Sequence, residues 1–328
     1  MRWFWLLLFL CCVFQLPLEA KEKPISMGID SSYITEFKTK YLLASSAFIR
    51  SAPIVFNPKN EQALGMVYQT NSPLRLGFLA GYKNFRLGFS FILPSYLNAN
   101  DQSRGFSFQF KTQLPVNNLG LDFLIRKEVG YYLDNYADFY PNWAKYPYKP
   151  FYPNMEIRQL SFNTHMVFSK KFSLKAVLNQ SQRQLKSAGG FGLQMGMNYF
   201  SLRTDTAMIP YGQEAYYGDL GRSSSMGKFG FNISPGYAYT FVRNDFFAST
   251  VFFGGLSFDL QKLKFFGGGF DVNLIASPQL YFIQAIGYNS ESGFLSLSYS
   301  FSGSYIPIDG DKLRNGISLF SLNAGIRF

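Results

Sequence analysis

The sequence predicts an all-β protein, a closed antiparallel transmembrane β-barrel of about 12–14 strands. Three observations predict it. Short segments alternate apolar and polar residues with period two, and tight turns join them. Aromatic residues are abundant (19%) and charged residues scarce (16%), yet mean hydropathy is only -0.02. The alternation also continues through the last residues of the chain, as the closing strand of a barrel requires.

The alternation is clearest in five places. Over residues 85–93, Phe85, Leu87, Phe89, Phe91 and Leu93 share one face, and Arg86, Gly88 and Ser90 share the other. Phe106, Phe108 and Phe110 repeat the pattern. Over residues 160–168, Leu160, Phe162, Met166 and Phe168 lie opposite Ser161, Asn163 and His165. Phe172, Leu174, Ala176 and Leu178 read as another strand, and Leu295, Leu297, Tyr299 and Phe301 alternate with serines. A two-faced strand needs this period, whereas an amphipathic helix needs 3.6 residues. Short joins fall at Lys83-Asn84, Asn117-Asn118, Lys170-Lys171, Arg243-Asn244-Asp245 and Ser290-Glu291-Ser292-Gly293, as in hairpins between sequential strands. Longer insertions at roughly 134–156, 206–227 and 303–315 read as the loops of the opposite end.

The composition follows from such a wall. One face of each strand meets lipid and the other a polar lumen, so a greasy protein need not have high mean hydropathy. A soluble domain carries about 25% charged residues, well above this chain. A large soluble β-sandwich is the competing fold class.

The N-terminus reads as a signal peptide. Arg2 supplies the charge, residues 3–14 the apolar stretch, and Leu18-Glu19-Ala20 the cleavage site. The expected organisation is a signal peptide over 1–20, a periplasmic lead-in over 21–40 and a barrel over 41–328. Cys11 and Cys12, the only cysteines, lie in the signal peptide. Cleavage leaves no thiol for a disulfide, a nucleophile or a metal. The small residues that precede a lipoprotein cysteine are missing. No later stretch is an uninterrupted apolar run long enough for a membrane helix, since residues 246–261 are broken by small and polar positions.

The final segment, GISLFSLNAGIRF, places Phe320, Leu322, Ala324, Ile326 and Phe328 on one face. It is expected to pair with the first strand and to be read by the barrel-assembly machinery. The aromatic stretch 131–152 has two open readings, an interfacial girdle that packs its own loop or a ligand platform.

Net charge is +11, but the basic residues are scattered singly, so no nucleic-acid stripe forms. Anionic lipopolysaccharide, or a lumen favouring anions, suits this charge. The candidate lumenal polar residues are Asp122, Arg126, Glu128 and His165, with Lys175, Asn179, Arg183 and Lys186 as a second group. Asp259 and Asp271, isolated in apolar segments, are expected inside as well. His165 is the single histidine, and Ser161 on its face lies about 13 Å away, too far for direct proton transfer. No catalytic, calcium, zinc or phosphate-loop signature appears, so neither an enzyme nor a cofactor is expected.

Three segments carry a family resemblance. QSQRQLKSAGGFGLQMGMNY at 180–199, GFLAGYKNFRLGFSF at 77–91 and EVGYYLDN at 128–135 resemble the Bacteroidota barrel proteins grouped as domain of unknown function family 4421. The family's Lys-Ser-Ala-Gly motif matches Lys186, Ser187, Ala188 and Gly189. Its Gly-Tyr-Lys element matches Gly81, Tyr82 and Lys83, and its Gly-Tyr-Tyr element matches Gly130, Tyr131 and Tyr132. Where the family commonly continues the first motif with serine, this chain has Gly190. The resemblance implies a Gram-negative outer-membrane barrel and assigns no reaction. The main roles left open are a passive channel or small-solute transporter, and a structural or surface-binding barrel with a filled lumen; a lipid-modifying barrel enzyme is the lesser alternative and needs His165 beside a serine of an adjacent strand. Expected partners are outer-membrane lipid, lipopolysaccharide, the assembly machinery and a small solute.

Overall fold

The structure, a computed structural model, describes residues 29–37, 40–60, 63–70, 74–82, 85–92, 104–113, 119–140, 142, 149–178, 180–206, 208–209 and 212–328. The signal-peptide stretch and the Lys83-Asn84 and Asn117-Asn118 joins lie outside them. The strands are β1 (Ile34–Glu36), β2 (Tyr41–Ser51), β3 (Ile54–Asn57), β4 (Met66–Gln69), β5 (Leu74–Tyr82), β6 (Phe85–Ile92), β7 (Arg104–Gln113), β8 (Gly120–Leu133), β9 (Phe151–Val167), β10 (Gln182–Gln184), β11 (Ala188–Arg203), β12 (Ser223–Arg243), β13 (Phe246–Phe265), β14 (Phe270–Asn289), β15 (Gly293–Ile308) and β16 (Asp311–Arg327).

All strands but β1 and β10 form one closed antiparallel wall, and its circumference changes with height. Near the end that carries Tyr41 and Arg327, here the terminal end, the ring runs β2-β5-β6-β7-β8-β9-β11-β12-β13-β14-β15-β16 and returns to β2, twelve strands. Toward the far end, β3 takes over from β2 as the neighbour of β16, β4 pairs with β3, and β4 meets β8 directly. That ring has ten strands: β3, β4, β8, β9, β11, β12, β13, β14, β15 and β16. The β6–β7 pair is therefore a wedge set into the terminal half only. Between β2 and β3 stand Ala52 and Pro53, and proline has no N–H to give a ladder.

The alternation becomes two faces. Phe229, Phe231, Ile233, Tyr237, Tyr239 and Phe241 of β12 point outward and are exposed, while Lys228, Asn232, Ser234 and Thr240 of the same strand are buried inside. β13 repeats this with Phe252, Leu256, Phe258 and Leu260 outside and Ser249, Ser257, Asp259 and Gln261 inside. In water such an apolar belt would be a liability, and in a bilayer it is the lipid-facing surface. Closure leaves no edge to pair with lipid, which cannot hydrogen-bond. The chain is thus a multi-pass outer-membrane β-barrel.

One glycine resets the pattern on the inside. Up to Glu128 the even residues of β8 face the lumen. A register shift between Val129 and Tyr131 then turns Tyr131 and Leu133 inward. Gly130 sits in that bulge at φ 88, where a Cβ would be strained.

Two expectations are corrected. Residues 172–178 are not a wall strand. Leu174–Leu178 is a short helix, in a segment that leaves β9 at Val167, folds into the terminal mouth and rejoins the wall at β11. No hairpin therefore forms at Lys170-Lys171. Residues 303–315 are not a loop either, since β15 and β16 run through them around a tight turn at Asp309-Gly310. A short amphipathic stretch buried on all sides has the same composition as a strand, which is why periodicity misread 172–178.

Candidate solute site in the barrel lumen

The lumen is occupied at both ends and hollow between. At the terminal end, β10 pairs with β1 in a two-stranded ribbon, with Thr35 opposite Arg183. Phe172, Leu174 and Val177 of the same plug pack against Val167, Ala238, Val251, Phe253 and Ile283 of the wall. Polar ties hold it. Arg327 donates through Nη2 to the Gln180 carbonyl (2.6 Å) and to Asn289 Oδ1 (2.8 Å), and Asn289 Nδ2 donates to Gln180 Oε1 (2.7 Å). Inside the plug, Ser173 Oγ caps the short helix by accepting from Ala176 N (3.0 Å), and Ser173 N donates to Gln184 Oε1 (2.9 Å).

The Lys-Ser-Ala-Gly motif is the splice between plug and wall. Ser187 Oγ accepts from Val242 N (2.9 Å), and Lys186 Nζ stands 5.3 Å from the centre of the Tyr33 ring. A Cβ on Gly189 would fall 2.7 Å from the Ala238 carbonyl oxygen, so no larger residue fits this approach.

At the far end, apolar side chains from the ring of ten converge. Ile54, Tyr68, Leu133, Ile157, Leu202, Met226, Leu263, Ile306 and Leu313 pack with Met208, Ile209, Tyr217 and Leu220 from the loop that joins β11 to β12. Tyr68 Oη donates to the Met208 carbonyl (2.9 Å), and Tyr217 Oη donates to that of Leu64. Burial pushes the Tyr217 phenol up, so it remains a donor through physiological pH. Tyr131, Tyr132, Tyr152 and Phe151 of the aromatic stretch pack with this end, with Tyr68 and Tyr152 edge-to-face at 5.2 Å.

Between plug and far core lies a cavity of about 410 Å³. One side is a hydroxyl wall: Ser296, Ser298, Ser300, Ser302 and Ser304 of β15, continued by Ser321 and Asn323 of β16. Ser298 and Ser321 hydrogen-bond at 2.7 Å. Across from it stand Gln159, Ser161, Asn163 and His165 of β9 and Gln194 and Asn198 of β11. Neutral donors and acceptors share the lining about equally with apolar side chains, among them Phe48, Phe200, Phe294 and Tyr281. Volume and composition fall within the range of small-molecule sites.

Two charged clusters stand beside the cavity, apart from Asp122 in its lining. Lys228 Nζ donates to Asp259 Oδ2 (3.0 Å), and Ser257 Oγ donates to Asp259 Oδ1 (2.7 Å), all three buried. On the β2–β5–β8 side, Arg50, Arg75 and Arg126 surround Glu128. Arg75 Nη2 and Arg50 Nη1 donate to Glu128 Oε1 at 2.6 and 3.3 Å, and Tyr131 Oη donates to Oε2 at 3.3 Å.

The sequence-predicted residues separate accordingly. Asp122 and His165 line the cavity, and Arg126 and Glu128 belong to the charged cluster. His165 lies against the rings of Tyr281 (5.3 Å) and Phe253 (6.1 Å), an aromatic packing rather than the arrangement of an activated nucleophile. Lys175 is buried in the plug helix and Arg183 pairs with Asp245 at its edge, while Lys186 is exposed, so these are plug residues and not wall residues. Asn179 lies outside the described residues. Asp259 faces inward as expected, whereas Asp271 is exposed on the β13–β14 hairpin beyond the last pairing with β15. Sequence reading missed Arg50, Arg75 and Lys228. The inward phase of Lys228 was available from Phe229 and Phe231, and that of Arg75 from Phe78.

Among solved structures, the toluene transporter TodX of P. putida matches at 10% identity and TM-score 0.30, over 88% of this chain and 89% of its own. OmpT, an outer-membrane protein of Vibrio cholerae, matches at 6% and 0.27, over 88% and 98%. A bacterial polysaccharide outer-membrane secretin matches at 10% and 0.30, over 89% and 99%. TM-scores this low transfer neither site nor activity. No curated protein matches the chain. A family's sequence profile, however, spans residues 28–328, nearly all of the chain, and on that match the chain belongs to the family described as Domain of unknown function (DUF4421).

Proposed function

We propose that this barrel admits a small polar solute to its lumen and passes it across the outer membrane of a Gram-negative cell, a Bacteroidota host by its family resemblance, with the plug as gate. The observation that carries the reading is the cavity of about 410 Å³, lined by hydroxyl and amide groups and bounded by a separable segment at the terminal mouth. A barrel built only as a wall has no need of a polar chamber. The plug is held by a handful of hydrogen bonds and one small apolar cluster, so it is the part of the lumen that moves at least cost. No catalytic role enters this reading.

The terminal end faces the periplasm in this proposal. The far rim supports that orientation. Outside the apolar belt, Arg158, Arg203, Lys262 and Lys264 project outward around one carboxylate, Glu156, which stands opposite Arg203 and pairs with Arg158 and Lys127, so the rim keeps a basic excess. A basic collar at that height suits the phosphates of lipopolysaccharide.

Conductance of the refolded protein in a planar bilayer tests the reading. The intact barrel should show low conductance with brief openings. Arg327→Gln combined with Asn289→Ala removes the side-chain ties to Gln180, leaving the Arg183–Asp245 pair, and should give long-lived discrete steps. Silence from both proteins, with folding and insertion verified, would sink the transport reading in favour of a filled structural barrel.

A further inference from the structure

The charged cluster on β2, β5 and β8 is unbalanced. Three guanidinium groups face one carboxylate, an excess of two positive charges among the described residues. Arg50, Arg75, Arg126 and Glu128 are 8%, 1%, 1% and 1% exposed. Glu128 is already saturated, since Arg75, Arg50 and Tyr131 donate to it, and Arg126 stays 3.9 Å away. Nε, Nη1 and Nη2 of Arg126, Nε and Nη1 of Arg75 and Nε of Arg50 have no acceptor among the described residues. Buried donors are nearly always satisfied in native proteins, and a buried charge without a counter-charge is strongly unfavourable. A purely structural pin between three strands would match donors to acceptors. This cluster instead offers a surplus of planar, forked donors, the group that recognises carboxylate and phosphate oxygens.

Of the three arginines, Arg50 borders the cavity and Arg75 and Arg126 lie off its lining, so the surplus is approached past Arg50. In register, Arg50 lies opposite Leu319 of β16, and Leu319 opposite Ser300 of β15. Two strand spacings put the serine wall about 10 Å from the Arg50 backbone, within the reach of one small molecule. We propose that Arg50, Arg75 and Arg126 bind the anionic head, carboxylate or phosphate, of a small solute whose hydroxyl-bearing body lies along Ser298, Ser300 and Ser321. This deepens the solute-holding reading of the lumen, but it requires binding only and not transport.

Binding of inorganic phosphate to the intact folded barrel in detergent micelles tests it, read by phosphorus NMR line broadening at fixed ionic strength set with sodium chloride. Saturable binding is expected. Arg50→Gln and Arg126→Gln should each weaken it about tenfold or more. Glu128→Gln should tighten it about tenfold, because it removes the internal competitor. Opposite signs at adjacent residues are what a structural pin does not produce. If Arg126→Gln does not fold, Arg50→Gln at the cavity edge decides alone. Absence of saturable binding in both wild type and Glu128→Gln overturns the proposal, as does binding indifferent to Arg50→Gln. Acetate competing at comparable concentration assigns a carboxylate head, and its failure to compete assigns phosphate. Phosphate binding without conductance would remove the transport reading and leave the site. Conductance without phosphate binding would do the reverse.

Discussion

One lumenal ion pair of this barrel rests on three side chains. Lys228 and Asp259 sit on adjacent strands, 4% and 0% exposed, and Ser257 completes the carboxylate's shell. Asp259→Ala leaves the ammonium buried alone and should cost about 3–5 kcal/mol in equilibrium urea unfolding. The double change Lys228→Met with Asp259→Leu should recover most of that loss, since an apolar pair of similar volume needs no partner. Gly130→Ala should cost about 1–2 kcal/mol by the same measurement, because its φ of 88 places a Cβ against the following carbonyl. Alternation found Arg126, Glu128, His165 and Asp259, because large aromatics fix the phase around them. It missed Arg50, because in YLLASSAFIRS small residues occupy both faces and the phase is weak.

At the scale of elements, wall and plug were unequally legible. Lipid imposes the same demand on every strand, so the outward face repeats along the chain and announces itself. The plug answers to a particular mouth, and a helix as short as Leu174–Leu178 cannot display a 3.6-residue period. The ring change was hidden for another reason: β3 and β4 are four residues each, too short to separate by pattern from the β2 and β5 strands they extend. The plug carries its own prediction. Replacing residues 172–184 by a short Gly-Ser linker should leave the barrel folded, since the wall's ladders do not pass through the segment, and should raise single-channel conductance above that of the point variants. An unfolded product would show instead that the plug nucleates the wall.

The whole molecule is governed by its belt. On β13 the outward apolar run extends from Phe246 to Leu260, with Phe252 near its middle and Lys262 beyond its end. Phe252→Arg should destabilise the vesicle-inserted barrel by about 2–4 kcal/mol and Phe246→Arg by about 0–1, the depth profile expected of a bilayer. Equal costs at both positions, measured by unfolding from vesicles, would argue that water and not lipid surrounds the wall. The fold class followed from sequence because this belt is a global property. The proposed solute site did not, because its residues come from β2, β5, β8, β15 and β16, and no local window spans them.

The plug's anchors lie far from it along the chain. Gln180 is bound by Asn289 and Arg327, 109 and 147 residues later. The segment's ties at Gln180 therefore form only once β14 and β16 have joined the wall. Sealing is thus expected late in assembly although its residues are made midway, and an unfinished barrel would lack these two anchors. A seated plug certifies that the ring has closed.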